Sequence, residues 1–163
     1  MSEPQSPQPA FGIQKVYVKD ASVELPNAPR VFMESQTPQI EVQLESSADR
    51  MDETIFEVVV KVTVTAKQAD TDKTCFLVEV AQAGIFEISG VPDQDLGPIL
   101  GIGCPNILFP YAREAVADLV GRAGFPSLHL SPVNFESMYV QRMQAEQAEL
   151  ATQAGQPGSE VSH

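Results

Sequence analysis

The sequence predicts an α+β fold: a four-stranded antiparallel sheet followed by two C-terminal helices. Three observations predict it. Residues 54–66 alternate strictly between apolar and polar, the period of a half-buried strand. Beyond Cys104 the apolar residues recur at helical spacing instead. Every strand-like run precedes every helix-like one, which argues against alternating βαβ units.

Taken in order, residues 1–10 are rich in Pro, Gln and Ser and read as a disordered tail. A single domain is expected over residues 11–152, with a second disordered tail at 153–163. The first strand is expected from Val16 to Leu25, ended by Pro26-Asn27-Ala28-Pro29. The connection from Pro26 to Pro38 holds three prolines, too rigid for a helix and too long for a hairpin turn. Gln39 to Ser46 reads as the second strand, with Ile40, Val42 and Leu44 in alternation. In the third, Phe56, Val58, Val60, Val62 and Val64 form one face, with Glu57, Lys61, Thr63 and Thr65 on the other. The turn-prone stretch Gln68 to Lys73 reverses the chain into a fourth strand. Phe76, Val78 and Val80 make its apolar face, with Leu77 and Glu79 opposite, so the pair is an antiparallel hairpin.

Gly97-x-x-x-Gly101-x-Gly103, interrupted by Pro98 and Pro105, reads as a turn-rich connector, with Asp93 and Asp95 as solvated turn residues. The first helix presents Leu108, Ala112, Ala115, Val116, Leu119, Val120 and Ala123 on one broad face. Pro110 belongs in a first turn, which places the start of regular helix near Phe109 or Pro110. The second helix is expected from Val133 to Ala151, carrying Phe135, Met138, Tyr139, Val140 and Met143 in its early turns. The first helix is apolar over more than one stripe, and subunit association is the expected way to bury the excess.

Composition narrows the function. The 163 residues include 22 acidic and 10 basic ones, a net charge of −12 that repels phosphate backbones. Nucleic acid is therefore not an expected partner; the charge suits a basic protein or simple solubility. Cys75 and Cys104 stand far apart without a CxxC, as reduced, buried thiols of a cytosolic protein do. The N-terminus lacks the basic and apolar regions of a signal peptide, and no apolar run is long enough to insert into a membrane. The expected location is cytoplasmic. His129 and His163 are the only histidines, and nothing orients either toward a nucleophile. The glycine cluster lacks the Gly-Lys-Ser/Thr ending of a phosphate loop, so no ATP hydrolysis is expected. The chain reads as no enzyme, with no cofactor and no metal of its own.

Four motifs stand in order: Pro26-Asn27-Ala28-Pro29, Gly84-Ile85-Phe86, Cys104-Pro105-Asn106-Ile107-Leu108-Phe109-Pro110-Tyr111-Ala112-Arg113-Glu114, and Phe125-Pro126-x-Leu128-x-Leu130-x-Pro132-Val133-Asn134-Phe135. Together they resemble the SecB family of protein-export chaperones over residues 11–143. Ala83 stands where the family pattern has a first glycine, Val78 replaces a cysteine or similar small residue, and Arg142 and Met143 follow the aromatic stretch. The resemblance implies a homotetramer, a dimer of dimers with the first helix between two sheets, in which Phe76, Val78, Val80 and Gln82 help join the dimers. It implies a holder of unfolded precursor proteins that uses no nucleotide and delivers its clients to SecA, the translocase motor.

A holder of many sequences needs apolar area without a demanding shape, which aromatic residues and methionine supply. The client-binding candidates are Ile40, Val42 and Leu44 on the second strand and Phe125, Leu128 and Leu130 between the helices. Phe135, Met138, Tyr139 and Met143 on the second helix complete the set. The resemblance places a long groove between that loop and the Pro-rich connection. It also assigns Asp20, Glu24, Leu77 and Glu79 to docking of SecA's basic, zinc-bearing tail, the zinc being the partner's. The alternative is a SecB-like chaperone or scaffold dedicated to one partner, such as an antitoxin, because a fold does not dictate a function.

Overall fold

In the computed structural model, which describes residues 4, 6, 8–35 and 37–155, four long strands form one antiparallel sheet in the order β1-β4-β3-β2. They are β1 Ala10–Glu24, β2 Pro38–Arg50, β3 Ile55–Gln68 and β4 Thr74–Ser89. β3 alternates as its sequence demands, with Phe56, Val58, Val60, Val62, Val64 and Ala66 all buried. Across the hairpin Val62 faces Val80 and Val64 faces Val78, branched pairs that pack well on a pleated surface. The reversal is closed by Gln68 N–H donating to the Lys73 carbonyl at 2.9 Å, and Asp72 takes a left-handed φ of 59°, which aspartate tolerates.

Two strands exceed their expected bounds. β1 opens at Ala10 rather than Val16, and β2 runs on to Arg50 rather than Ser46. The early half of β1 was hidden by bulges between Ile13 and Lys15 and between Val18 and Asp20, each of which breaks the alternation. The remaining residues expected as an N-terminal tail lie partly outside the described ones. The connection after β1 carries the chain across the sheet end to the opposite edge, giving Greek-key order. It includes a short 3-10 turn at Arg30–Met33 and is tied down by Asn27 Nδ2 donating to the Thr74 carbonyl at 2.9 Å.

The expected turn-rich connector is helical. α1 spans Asp93–Pro98, a π-helical segment continues through Ile99–Gly103, and α2 spans Cys104–Arg122. Asp93 and Asp95 occupy the first turn of α1, where the helix dipole favours acids. Pro98 and Pro105 stand at the two junctions where the hydrogen-bond ladder already changes register. Pro110 is therefore inside α2, not at its start. Its missing N–H would have served the Asn106 carbonyl, and both residues are exposed, so solvent can serve that carbonyl instead.

α2 buries Cys104, Leu108, Phe109, Ala112, Val116 and Val120 over β3 and β4. The edge strands are left partly bare. On β1, Phe11, Ile13 and Val18 are about half exposed (49–53%), more than Ala115 and Leu119 on α2, which are half-buried. α3, Phe135–Ala154, is capped by Asn134, whose Oδ1 accepts from Ser137 N–H at 2.9 Å. Gln153 and Ala154, expected in the C-terminal tail, complete this helix; residues 156–163 of that tail lie outside the described residues.

Candidate functional site

The face of β2 turned toward the helices forms one wall of a groove. Leu44, Phe135, Met138 and Tyr139 line a cavity of about 380 Å³ together with Ser46, Gly101 and Arg142. Tyr139, Arg142 and Met143 line an adjoining cavity of about 210 Å³ that extends along β2 to Ala48. In the other direction Ile40 and Val42, both nearly half exposed, continue the same face. Ile40 lies in register with Ala66, and Ala66 with Phe76, against which the Phe125 ring packs at a tilt, 4.9 Å between centroids. The track from Ile40 to Ala48 is about 26 Å long at the usual rise of a strand.

Two of the ten sequence-predicted client residues are interior. Leu130 is 9% exposed and packs in the core, and Phe135, at 2%, forms floor rather than free surface. Phe135 is drawn under α2 by its edge-on contact with Phe109 at 5.8 Å. Leu128 is half-buried against the core beside Phe125. Phe32 and Met33 add apolar surface outside that set: Phe32 lies 5.3 Å from Phe125, and Met33 is 86% exposed beside it. An apolar Val-Phe-Met run inside a proline-rich connection was the available signal.

Gly97 and Gly101 also escaped notice as site residues. A Cβ on Gly97 would sit 2.7 Å from Tyr139 Oη, and one on Gly101 2.5 Å from its ring, so the tyrosine lies on bare backbone. Arg142 places its guanidinium 5.9 Å from the Tyr139 ring centroid and donates to the Ser46 carbonyl at 3.3 Å.

The opposite face of the sheet is polar. Glu24 faces Leu77, Ser22 faces Glu79 and Asp20 faces Ala81, which brings the four predicted docking residues onto this side of neighbouring strands. Glu79 is engaged by Lys61 at 2.6 Å; that hydrogen bond and charge raise the Lys61 pKa, with help from Glu45 and Asp20. Nearby, Glu57 accepts from Lys19 at 2.7 Å and from the Tyr17 hydroxyl, and these two bonds hold its carboxyl below the usual range. Burial, then the bond to Glu57, pushes Tyr17 up to about 12.

Phe76, Val78, Val80 and Gln82, predicted at the junction of dimers, are 0–3% exposed in the single chain. They lie on the face that α2 covers, and the Gln82 Nε2 donates to the Tyr17 carbonyl at 3.0 Å. Within one chain they are core and offer no open surface. Cys104 is also core, and burial pushes its thiol up to about 12. No helix among the described residues is long and apolar enough to cross a membrane.

The SecB family profile, described as preprotein translocase subunit SecB, matches residues 4–146. The chain belongs to the SecB family. It is 58% identical over 149 residues to the protein-export protein SecB of Chromobacterium violaceum, covering 91% of this chain and 97% of that one. It is 58% identical over 140 residues to SecB of Dechloromonas aromatica, covering 86% and 91%. The SecB-like chaperone of Mycobacterium tuberculosis, solved in complex with a ChAD peptide from the HigA1 antitoxin, superposes with a TM-score of 0.62 at 19% identity. That match covers 76% of this chain and 90% of the other and shows a shared fold. The protein is a SecB chaperone of protein export, and SecB is a chaperone family rather than an enzyme class.

The segments that carry the resemblance are explained by packing. Cys104 to Glu114 is the half of α2 that presses Leu108 onto the sheet, and a Cβ on Gly84 would meet Leu108 at 3.0 Å and Phe86 at 2.8 Å. Ala83 and Val78 are both fully buried.

Proposed function

We propose that this protein holds unfolded precursor proteins along the β2 track without using nucleotide, works in the cytosol as a homotetramer, and passes its clients to SecA. The observation that carries this reading is convergence. Leu44, Met138, Tyr139 and Met143 come from two separate elements yet border two adjoining cavities, and Ile40 and Val42 continue the same face of β2. Methionine and aromatic walls accept many side chains, and extended clients that reach several subunits gain by effective concentration. A folded protein hides its apolar segments and is ignored.

Assembly as a dimer of dimers is supported by the bare apolar side chains of β1, Phe11, Ile13 and Val18, with Tyr111 of α2 half exposed as well. Phe76, Val78, Val80 and Gln82 would then act on assembly through the seating of α2. Asp20, Glu24 and Glu79, with Leu77 as apolar neighbour, suit a basic tail of SecA. The dedicated-partner reading rests on the antitoxin-peptide complex of a relative 19% identical, whereas the export reading rests on relatives 58% identical.

The test is the refolding of a slow-folding precursor with and without the protein. Delay in the absence of ATP is expected, together with its loss on Met138→Asp combined with Tyr139→Ser. A requirement for ATP, or an unchanged delay in the double variant, would overturn the groove assignment. Light scattering should give a tetramer, and a pull-down from cytosol should recover SecA with unprocessed precursors.

A further inference from the structure

The direction in which the edge of β2 points follows from the hairpin hydrogen bonds. Gln68 N–H donates to Lys73 of the β4 side, so Gln68 and each second residue back along β3 turn their backbone groups toward β4. The residues between them, Lys67, Thr65, Thr63, Lys61 and Val59, turn theirs toward Gln39, Glu41, Gln43, Glu45 and Ser47 of β2. Ile40, Val42, Leu44, Ser46 and Ala48 therefore point N–H and C=O away from the sheet, at an edge with no neighbouring strand among the described residues. The side chains of the same residues stand on the groove side. Backbone and side chain thus face one visitor together.

One of these outward carbonyls is occupied. Arg142 donates to the Ser46 carbonyl at 3.3 Å and rests over Tyr139, whose own ring is seated on the backbone of Gly97 and Gly101. This bracket stands where the two cavities of the groove meet, and Ser46, Gly101, Tyr139 and Arg142 line both.

We propose that Arg142, braced by Tyr139, is a stop that sets the length of client segment one subunit can hold. The inference rests on the client-groove reading above. An extended polypeptide adds to β2 as a further strand, exchanging main-chain hydrogen bonds with Ile40, Val42 and Leu44. It ends at Ser46, where the guanidinium already holds the acceptor the next client residue would need. Main-chain bonding is indifferent to side-chain identity, which suits a protein with many clients. Arg142 is thereby a positioning residue that limits footprint, and its removal joins the two cavities into one longer track.

The test is amide hydrogen exchange by NMR on the full chain, using a capped Val-Lys repeat peptide long enough to span β2. In the free protein Ile40, Val42, Leu44 and Ala48 should exchange faster than Glu41, Gln43 and Glu45. Bound peptide should slow Ile40, Val42 and Leu44 and leave Ala48 unchanged. Arg142→Met should extend protection to Ala48 and tighten binding roughly three- to tenfold, the size of about one added main-chain bond. Arg142→Lys, which keeps a donor for Ser46, should restore the stop. The same peptide N-methylated at alternate residues should lose the protection pattern. Protection of Ala48 in the unmodified protein, or an Arg142→Met pattern identical to it with peptide bound, overturns the stop alone. Peptide that binds without slowing any β2 amide overturns strand addition, and peptide that does not bind at all overturns the groove reading on which it stands.

Discussion

Replacing Gly101 by alanine sets two effects of comparable size against each other. Alanine in place of a helical glycine gains roughly 0.5–1 kcal/mol through lost freedom of the unfolded chain. At Gly101, however, the new Cβ would lie 2.5 and 2.9 Å from two carbons of the Tyr139 ring and 3.2 Å from an Arg142 nitrogen. Carbon pairs rest at about 3.5–4.0 Å, so the ring must retreat by about 1 Å. Tyr139 cannot retreat alone, because α3 is pinned one turn earlier by Phe135, 2% exposed, beneath α2. Overpacking of this kind costs typically about 1–3 kcal/mol, which exceeds the propensity gain. Gly103 is the internal control: it lies in the same π-helical segment, and a Cβ there meets nothing within 4 Å. In parallel urea titrations Gly103→Ala should stabilise by about 0.5–1 kcal/mol and Gly101→Ala should destabilise by up to about 2 kcal/mol. Amide exchange should also show α3 loosened in Gly101→Ala only. Equal stabilisation by both substitutions, with α3 exchange unchanged, would refute the account of how α3 is seated.

Val80→Asp should unfold the subunit and dissociate the assembly together, since Val80 is fully buried between Val62 and Ala21 and an unpaired charge there costs on the order of 3–5 kcal/mol. Sedimentation read beside circular dichroism checks this, and a dissociated but fully folded subunit would contradict it. Lys61→Met should strengthen binding of the SecA tail and steepen its salt dependence, because it frees Glu79 from a 2.6 Å ion pair. Calorimetry that finds weaker or unchanged affinity removes Glu79 from the docking face. The depressed Glu57 carboxyl contributes stability that is present above the ordinary value near 4.5 and is lost as pH falls through its lower folded value. Glu57→Gln should therefore flatten the acid limb of urea midpoints plotted against pH. Tyr17, raised to about 12, contributes stability that is present below the ordinary value near 10 and is lost as pH rises through about 12; Tyr17→Phe should remove that alkaline loss.

The sheet was legible where one face is buried against one element. β3 is covered along its length, so every second residue from Phe56 to Ala66 had to be apolar. β1 was legible only in part, because its bulges shift the alternation twice and its Phe11, Ile13 and Val18 stay half exposed. Helix α1 and the π-helical segment were masked by Pro98, Gly97, Gly101 and Gly103, residues that ordinarily mark turns. Two of those glycines serve a different purpose, as the seat of Tyr139, and a contact between residues some forty positions apart leaves no local trace. The same reason explains the site. Residue types alone nominated Met138, Tyr139 and Met143, which line the two cavities, but burial of Leu130 and Phe135 depends on how the loop folds back under α2. The outward turn of the β2 backbone depends on hairpin register alone and is invisible in side-chain chemistry.

The two margins of the sheet are not built alike. β1 carries two bulges, a device that twists an edge away from fresh pairing, whereas β2 keeps an unbroken register with β3 from Pro38 to Arg50. A regular, open margin bordered by Ile40, Val42 and Leu44 is a template for cross-β growth, so this protein carries in itself the hazard it handles in others. Its safeguard is electrical. Glu41, Glu45 and Asp49 stand on the same strand, and the whole chain carries a charge of −12, so two copies meeting margin to margin repel. That brake fades as the solution approaches the isoelectric point of about 4.4, where the β2 margin loses its protection against edge-to-edge pairing.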